Sequence, residues 1–402
     1  MINVPFFRPD IDDEDVAAVV EALRSGWITT GPRVQAFEAA FARYVGAAHA
    51  VAVNSCTAAL HLALAALGLR RGQAVLVPTL TFAATAEVVT YFDATPEFVD
   101  VEPDTLCMDP AAVETRLARA WNRTAEIVGA IAVHYGGQMA PMPHLARRLR
   151  AARCFVVEDA AHALPAAAYD PETDRWIGVG ALADVTGFSF YANKTITTGE
   201  GGMATTADPT LAQTMRSLSL HGMSQDGWTR FGAGGSWDYA IAAPGFKYNM
   251  TDIAAALGLR QLAKADRFRA RRADVAARYT AGLGDLEEIE TPRERADRRH
   301  AWHLYPIRLR LDRLAIGRDE FGQALAARGV ATSVHWRPLH MQPYYAQRYG
   351  YRAEDFPVAF REWQRLVSLP IFPGMSDAAV DHVIAAVRDT AAEGRRRRFA
   401  VA

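Results

Sequence analysis

The stretch Gly187–Gly202, GFSFYANKTITTGEGG, decides how the rest of the chain reads. An apolar run with strand character ends beside a lysine, and a turn of threonine and glycine leads toward a second strand. Lysine is uncommon in this protein: of 44 basic residues, only Lys194, Lys247 and Lys264 are lysines and 41 are arginines. A chain that uses arginine wherever a cation suffices retains lysine where an amine is needed that a guanidinium cannot supply.

Outward from this stretch, short β-rich runs alternate with alanine- and leucine-rich helical ones. Strands read near Ala50–Val53, Ala74–Val77, Glu97–Asp100, Ile127–Val133, Phe155–Glu158, Val185–Phe190 and Gly202–Thr205. Helices fit Asp12–Arg24, Ala58–Ala66, Ala83–Tyr91, Pro143–Ala151 and Pro209–Leu218. Such alternation predicts an α/β domain with a largely parallel, helix-covered sheet, whose ligands collect outside the carboxyl ends of the strands. The pattern changes at Thr251–Ala273, which reads as one long helix. Beyond it, His303–Leu309 and Ala331–His335 read as strands, and Asp319–Arg328 and Asp377–Ala391 as helices. We therefore expect a large domain over residues 1–265, including an N-terminal arm, and a smaller α+β domain over 266–402. The segment His221–Ala243 lacks periodicity and reads as a loop. Its glycines neither follow a strand nor open a helix, so they are a weak phosphate signal.

Composition narrows the function. With 402 residues, half of them hydrophobic, the chain can bury a sizeable core, and a net charge of −1 supplies no field for nucleic acid or an anionic membrane. The N-terminus has neither a basic nor an apolar leader region, and the longest apolar stretch is too short to span a bilayer. Cys56, Cys107 and Cys154 are scattered, which fits neither a disulfide framework nor a metal site. The expectation is a reduced, cytoplasmic protein, with Arg395–Arg398 a solvated end rather than a binding tail.

Three strand ends carry reactive groups. After Ala50–Val53 come Ser55, Cys56 and Thr57 at the start of a helix, where small residues and free N–H groups make a phosphate seat as readily as a plain cap. After Cys154–Val157, Asp159 sits at the end of an apolar strand, three residues before His162. A buried carboxylate there needs a partner for its charge, and a protonated pyridine nitrogen would serve. Ser189 offers a hydroxyl to a phosphate, and Lys194, partly removed from water, has an amine able to attack a carbonyl. Phosphate seat, carboxylate and imine-forming lysine are together what pyridoxal 5'-phosphate requires. Phe82, after the strand Ala74–Val77, is placed to stack on its ring.

The chain resembles the fold type I pyridoxal-phosphate aminotransferases of the DegT/DnrJ/StrS class, which aminate ketosugars carried on nucleotides. The resemblance runs nearly end to end, through SGWITTGPRVQAFEAAF, NSCTAALHLAL, PTLTFAATAEVV, VEDAAHALPA, FSFYANKTITTGEGG, PGFKYNMTDIAAALGLRQL, RHAWHLYPIRL and VHWRPLHMQPYY. WITTGP, GFKYN and HAWHL look most like the branch that makes 4-amino-4-deoxy-L-arabinose. The resemblance implies that Lys194 forms the Schiff base, Asp159 partners the pyridine nitrogen and His162 faces the phenolic oxygen. Cys56, Thr57 and Ser189 would hold the phosphate and Phe82 would stack. It further implies a homodimer with both sites at the interface, where Lys247 or Asn249 reaches the partner's phosphate. Trp27, Thr29, Thr30, Trp302, His303, His335 and His340 are expected to bind the nucleotide sugar, and no metal is expected.

The implied reaction moves an amino group from an amino acid, glutamate by resemblance, to a ketosugar. Lys194 would shuttle the proton between Cα and the cofactor. Two alternatives are an aminotransferase for a free ketone such as a cyclitol, and a cofactor-holding regulator without turnover. A sugar dehydratase of the same family would have histidine in place of Lys194. Lys264, on a helix face, reads as a solvated charge.

Overall fold

The computed structural model describes residues 2–119, 125–224 and 239–395. In chain order the first part contains α1 (Asp13–Arg24), α2 (Pro32–Val45), β1 (His49–Val53), α3 (Cys56–Ala66), β2 (Gln73–Pro78), α4 (Ala83–Thr90), β3 (Thr95–Val99) and α5 (Pro110–Arg119). There follow β4 (Glu126–Val133), α6 (Met142–Ala151), β5 (Phe155–Asp159), β6 (Ala167–Asp170), β7 (Arg175–Gly178), β8 (Val185–Ser189), β9 (Gly202–Thr206) and α7 (Pro209–Ser219). The remainder holds α8 (Asp252–Ala263), α9 (Ala265–Leu283), β10 (Ile289–Glu290), β11 (Arg298–Arg299), β12 (Tyr305–Leu309), α10 (Arg318–Ala327), α11 (Pro343–Tyr349), α12 (Pro357–Arg365), β13 (Leu366–Leu369) and α13 (Asp377–Gly394).

Seven strands form the central sheet in the order β1-β9-β8-β5-β4-β2-β3. Only β9 runs against its neighbours, β1 and β8; the other pairings are parallel. The mixed, mostly parallel α/β sheet expected from the sequence is therefore what forms. Its strands are buried along nearly their whole length because helices cover both faces, which is why they read as continuous apolar runs rather than alternating ones.

The topology brings the ends of β1, β5 and β8 to one edge, and β9 starts there. Gly202 pairs with Val53 on one side and Ser189 on the other. A Cβ on Gly202 would lie 2.4 Å from the Ser55 carbonyl carbon and 2.6 Å from Cys56 N, both backbone atoms that cannot swing aside. Gly202→Ala is expected to cost about 1–3 kcal/mol, as overpacking does, and to loosen the turn between β1 and α3. A lowered Tm with weakened binding of pyridoxal phosphate checks this; unchanged values of both would refute it.

Apolar side chains gather into two clusters. One surrounds the central sheet; the other joins α9, α10 and α13 to the small sheet β10-β12-β13 and takes in Val4 from the N-terminal segment. No helix among the described residues is long and apolar enough to cross a membrane.

Several local expectations need correction. Helix α2 was not read from periodicity, yet Phe37 and Phe41 on it pack against Phe188 and Phe190, with ring centroids 4.9–5.4 Å apart. The stretch Thr251–Ala273 is two helices that meet at Lys264, not one. Lys264 is no solvated charge: its ammonium bonds Asp12 at 2.9 Å and the fully buried Asp15 at 2.5 Å, tying α1 to the junction of α8 and α9. That bond holds the Asp12 carboxyl below its ordinary range. Ala331–His335 is not a strand; Ser333 alone bridges to Ser368, and Val330 pairs with Val4. The segment makes isolated bridges only, and its residues 331–334 are half-buried. Arg395 is not free in solvent but bonds the buried Glu288 at 2.5 Å, while Arg396–Arg398 lie outside the described residues, as does 225–238 of the expected loop.

Candidate active site

A cavity of about 460 Å3 opens at the shared strand edge, lined by Ser55, Cys56, Thr57, Phe82, Asp159, His162, Ser189, Lys194, His303 and His335 among others. The three sequence segments singled out as reactive, which are more than a hundred residues apart at their extremes, therefore meet in one place. Each arrives for a local reason. Ser55 caps α3 by accepting from Ala58 N at 3.1 Å, while the N–H groups of Cys56 and Thr57, in the first turn, have no acceptor four residues back inside the helix and form its positive end. Ser189 ends β8 and its Oγ accepts from Tyr191 N at 3.3 Å. Lys194 follows on a turn closed by its own N–H to Tyr191 O, and Gly199 at φ +80° lets the chain turn back toward β9.

Asp159, the last residue of β5, is 6 % exposed and makes no ion pair with a described residue. Thr85 Oγ1 donates to its Oδ2 at 2.7 Å, and Ala161 N to its Oδ1 at 3.2 Å. Thr81 Oγ1 lies 2.8 Å from Thr85 Oγ1, so a short hydroxyl chain fixes the carboxylate. Cys56 Sγ approaches Asp159 Oδ1 at 3.9 Å, and burial followed by that carboxylate pushes its thiol well up, which leaves it inert. Burial pulls the Lys194 amine down to about 8 from the usual lysine value, against the opposing pull of Asp159.

Four rings line the far wall. His162 stacks on Trp336 at 5.2 Å and lies 4.2 Å from His303, while His335 meets Trp336 edge-on at 5.3 Å. Burial above all, then Lys194 and the neighbouring imidazoles, holds His162 and His303 well below the ordinary histidine value and His335 at about 4. Phe82 is 58 % exposed at the rim, with its ring 6.2 Å from Trp336.

The other expected residues are elsewhere. Trp302 is buried in the second apolar cluster, stacked on His300 at 4.1 Å. His340 is spent on structure, 2.6 Å from Thr79 Oγ1 and 3.2 Å from Ala353 O. Trp27, Thr29 and Thr30 form a separate group: Trp27 Nε1 donates to Thr30 O, Asp252 N to Thr29 O, and Asn249 Nδ2 to Thr30 Oγ1 at 2.6 Å. Lys247 is exposed and its ammonium bonds Asn249 Oδ1, so neither residue lines the cavity of its own chain. Thr81, Thr85, Asn193 and Trp336 were missed by sequence reasoning. Thr81 precedes α4 and Thr85 lies in its first turn, and nothing in PTLTFAATAEVV marks either hydroxyl as serving Asp159.

The cavity fits pyridoxal 5'-phosphate on its own terms. It offers an amine of depressed basicity, a buried carboxylate that makes no ion pair with a described residue, a helix N-terminus for an anion, and an imidazole, His162, whose buried Nδ1 has no partner. Residues 9–388 match the model of the DegT/DnrJ/EryC1/StrS aminotransferase family. The chain is 45 % identical over 387 residues to the spore coat polysaccharide biosynthesis protein SpsC of Bacillus subtilis, covering 96 % of each. It superposes on a putative sugar aminotransferase, Spr1654 of Streptococcus pneumoniae in its PLP form, with a TM-score of 0.87 at 32 % identity, covering 98 % of this chain and 100 % of that one. The aminotransferase TlmJ of Streptoalloteichus hindustanus gives 0.86 at 30 % identity, with 97 % and 99 % covered.

Proposed function

The chain belongs to the DegT/DnrJ/EryC1/StrS aminotransferase family, whose members work with pyridoxal phosphate, and from that premise we propose that it moves an amino group from L-glutamate to a nucleotide-linked ketosugar. The observation that carries this is the convergence of Lys194, Asp159 and the N-terminus of α3 on one cavity. The cofactor supplies a carbonyl that condenses with an amine and a ring that accepts the electron pair left when the donor's α-hydrogen departs as a proton. With the cofactor bound, Lys194 would hold it through Nζ and would serve as the base that takes the donor's α-proton and the acid that returns it. Asp159 would accept the N–H of the ring nitrogen, and Thr85 and Ala161 hold the carboxylate in place. Cys56, Thr57 and Ser189 would anchor the phosphate, His162 would serve the phenolic oxygen and Phe82 would cover the ring.

The nucleotide reading is supported by a groove of about 640 Å3 that shares Thr81, Phe82 and Trp336 with the cavity. Exposed Tyr91 and Tyr344 offer faces for a base, and Arg337 offers a cation for phosphate. SpsC, by its name, serves spore coat polysaccharide, which supports a role in amino-sugar biosynthesis for a surface polymer. A cytoplasmic homodimer fits this reading: exposed Phe82 and Tyr191 rim the cavity, and Lys247 or Asn249, outside the cavity of its own chain, would serve a partner's phosphate.

The test is spectroscopic. Protein loaded with pyridoxal phosphate should lose its long-wavelength absorbance on adding L-glutamate and regain it on adding a nucleotide-linked ketosugar. Bleaching reversed only by a free cyclitol ketone would favour that substrate class, and a spectrum that no amino acid alters would leave a cofactor-holding regulator.

A further inference from the structure

The cavity takes two unlike substrates in turn if the reading above holds: an amino acid bearing carboxylates and an uncharged sugar ring. Its described lining contains no arginine, in a chain that has 41. The cations that this chain's own described residues bring to the lining are Lys194, which the reaction occupies, and the imidazoles of His162, His303 and His335. His303 is 4 % exposed, and its Nδ1 is buried without a partner. His335 is fixed by Ser368 Oγ, 2.9 Å from its Nδ1, and by the Tyr135 hydroxyl on its carbonyl. The three imidazoles do not form a group able to hold a metal ion.

A fixed guanidinium would suit the carboxylate and then stand desolvated and unpaired when the sugar arrived, a costly state for a buried charge. An imidazole avoids that cost because it can be neutral for one ligand and cationic for the other. We propose that His303, backed by His335, is the switchable cation of this site, taking up one proton as the donor's carboxylate enters and releasing it when the sugar takes its place. The only bond that changes is an imidazole N–H, and the proton comes from solvent. His162 is left to the cofactor. The charged and titratable groups acting on His303 are His162 after β5, Lys194 after β8, Arg272 on α9 and His335, and the carboxylates of Asp159 and Glu200 line the same cavity. Arg272 lies beneath, with its Nη1 spent on the carbonyls of Trp302, His303 and Ile371, and it does not line the cavity. Lys194, Arg272 and the other imidazoles all oppose a proton on His303, so it stays neutral until a carboxylate enters.

The proposal rests on glutamate being the donor, and calorimetry separates the two ideas. Glutarate, an unreactive dicarboxylate, is titrated into protein loaded with pyridoxal phosphate at pH 7.5, in buffers of different ionisation heat. We expect uptake approaching one proton per glutarate and a Kd that rises up to tenfold per pH unit. His303→Gln should abolish the uptake and raise the Kd at least tenfold, whereas uptake at Lys194 would survive that change. His335→Gln, a second variant, should weaken the pH dependence. Proton-free binding, or no binding of glutarate by protein that glutamate bleaches, overturns the proposal. Proton uptake without bleaching by glutamate would overturn the donor assignment instead.

Discussion

Lys194→Ala should lower turnover on the order of 10^4-fold, the scale of losing a positioned acid–base group, and should abolish the covalent adduct that borohydride traps. Lys194→Arg should fare no better, although it keeps the charge, because a guanidinium neither condenses with a carbonyl nor gives up its proton. A trapped adduct in either variant would refute the assignment. Burial adds a pH signature. With its amine at about 8 in the folded protein, Lys194 should capture pyridoxal phosphate at a rate that climbs through pH 8 and then levels, rather than climbing toward 10.5. Stability follows from the same shift. Below pH 8 both folded and unfolded chains carry the charged amine, so the folded one bears its full desolvation cost, and that cost fades between 8 and 10.5. Cofactor-free Lys194→Met should therefore be more stable than the parent at neutral pH, with the advantage shrinking over that interval in denaturant titrations.

Asp159→Asn should reduce kcat by roughly 10^2–10^3-fold, as removal of a preorganised charge does, while the protein still binds the cofactor. The amide keeps the shape of the carboxylate, but its single oxygen can accept from only one of Thr85 Oγ1 and Ala161 N, and it cannot hold a positive ring nitrogen. Thr85→Val tests the support beneath it. Removing the 2.7 Å bond to Oδ2 should cost roughly 10–100-fold in kcat, from the ~1.5–3 kcal/mol of a hydrogen bond to a charged group. Single-turnover spectra with glutamate measure both. An Asp159→Asn protein with parental kcat would remove the carboxylate from the reaction.

The parts of the site legible in the sequence were those with a local signature. Lys194 stood out by rarity, Asp159 by ending an apolar strand, and Ser55–Thr57 by preceding a helix. Thr85 lacked such a mark because its role depends on a carboxylate 74 positions away. The aromatic and histidine residues of the C-terminal third were the hardest to sort. Trp302, His303, His335 and His340 look alike in the sequence, yet His303 and His335 line the cavity, while Trp302 stacks in a core and His340 is consumed by Thr79 and Ala353. Lys264 shows the same limit from the other side. Its partners, Asp12 and Asp15, are some 250 positions away, and only the packing of α1 on the later helices reveals a buried ion pair.

The sequence by itself determined the class of fold and the chemistry of the lysine, because strand periodicity, helix caps and residue rarity act over short distances along the chain. Tertiary structure alone decided which groups share a cavity. Strand order sets that: with β9 threaded antiparallel between β1 and β8, Gly202 draws the ends of those strands together, and β5 follows beside β8. Charge state was settled at the same level, since removal from water is what lowers the basicity of Lys194 and of the three imidazoles, and burial belongs to the assembled fold rather than to any segment of it.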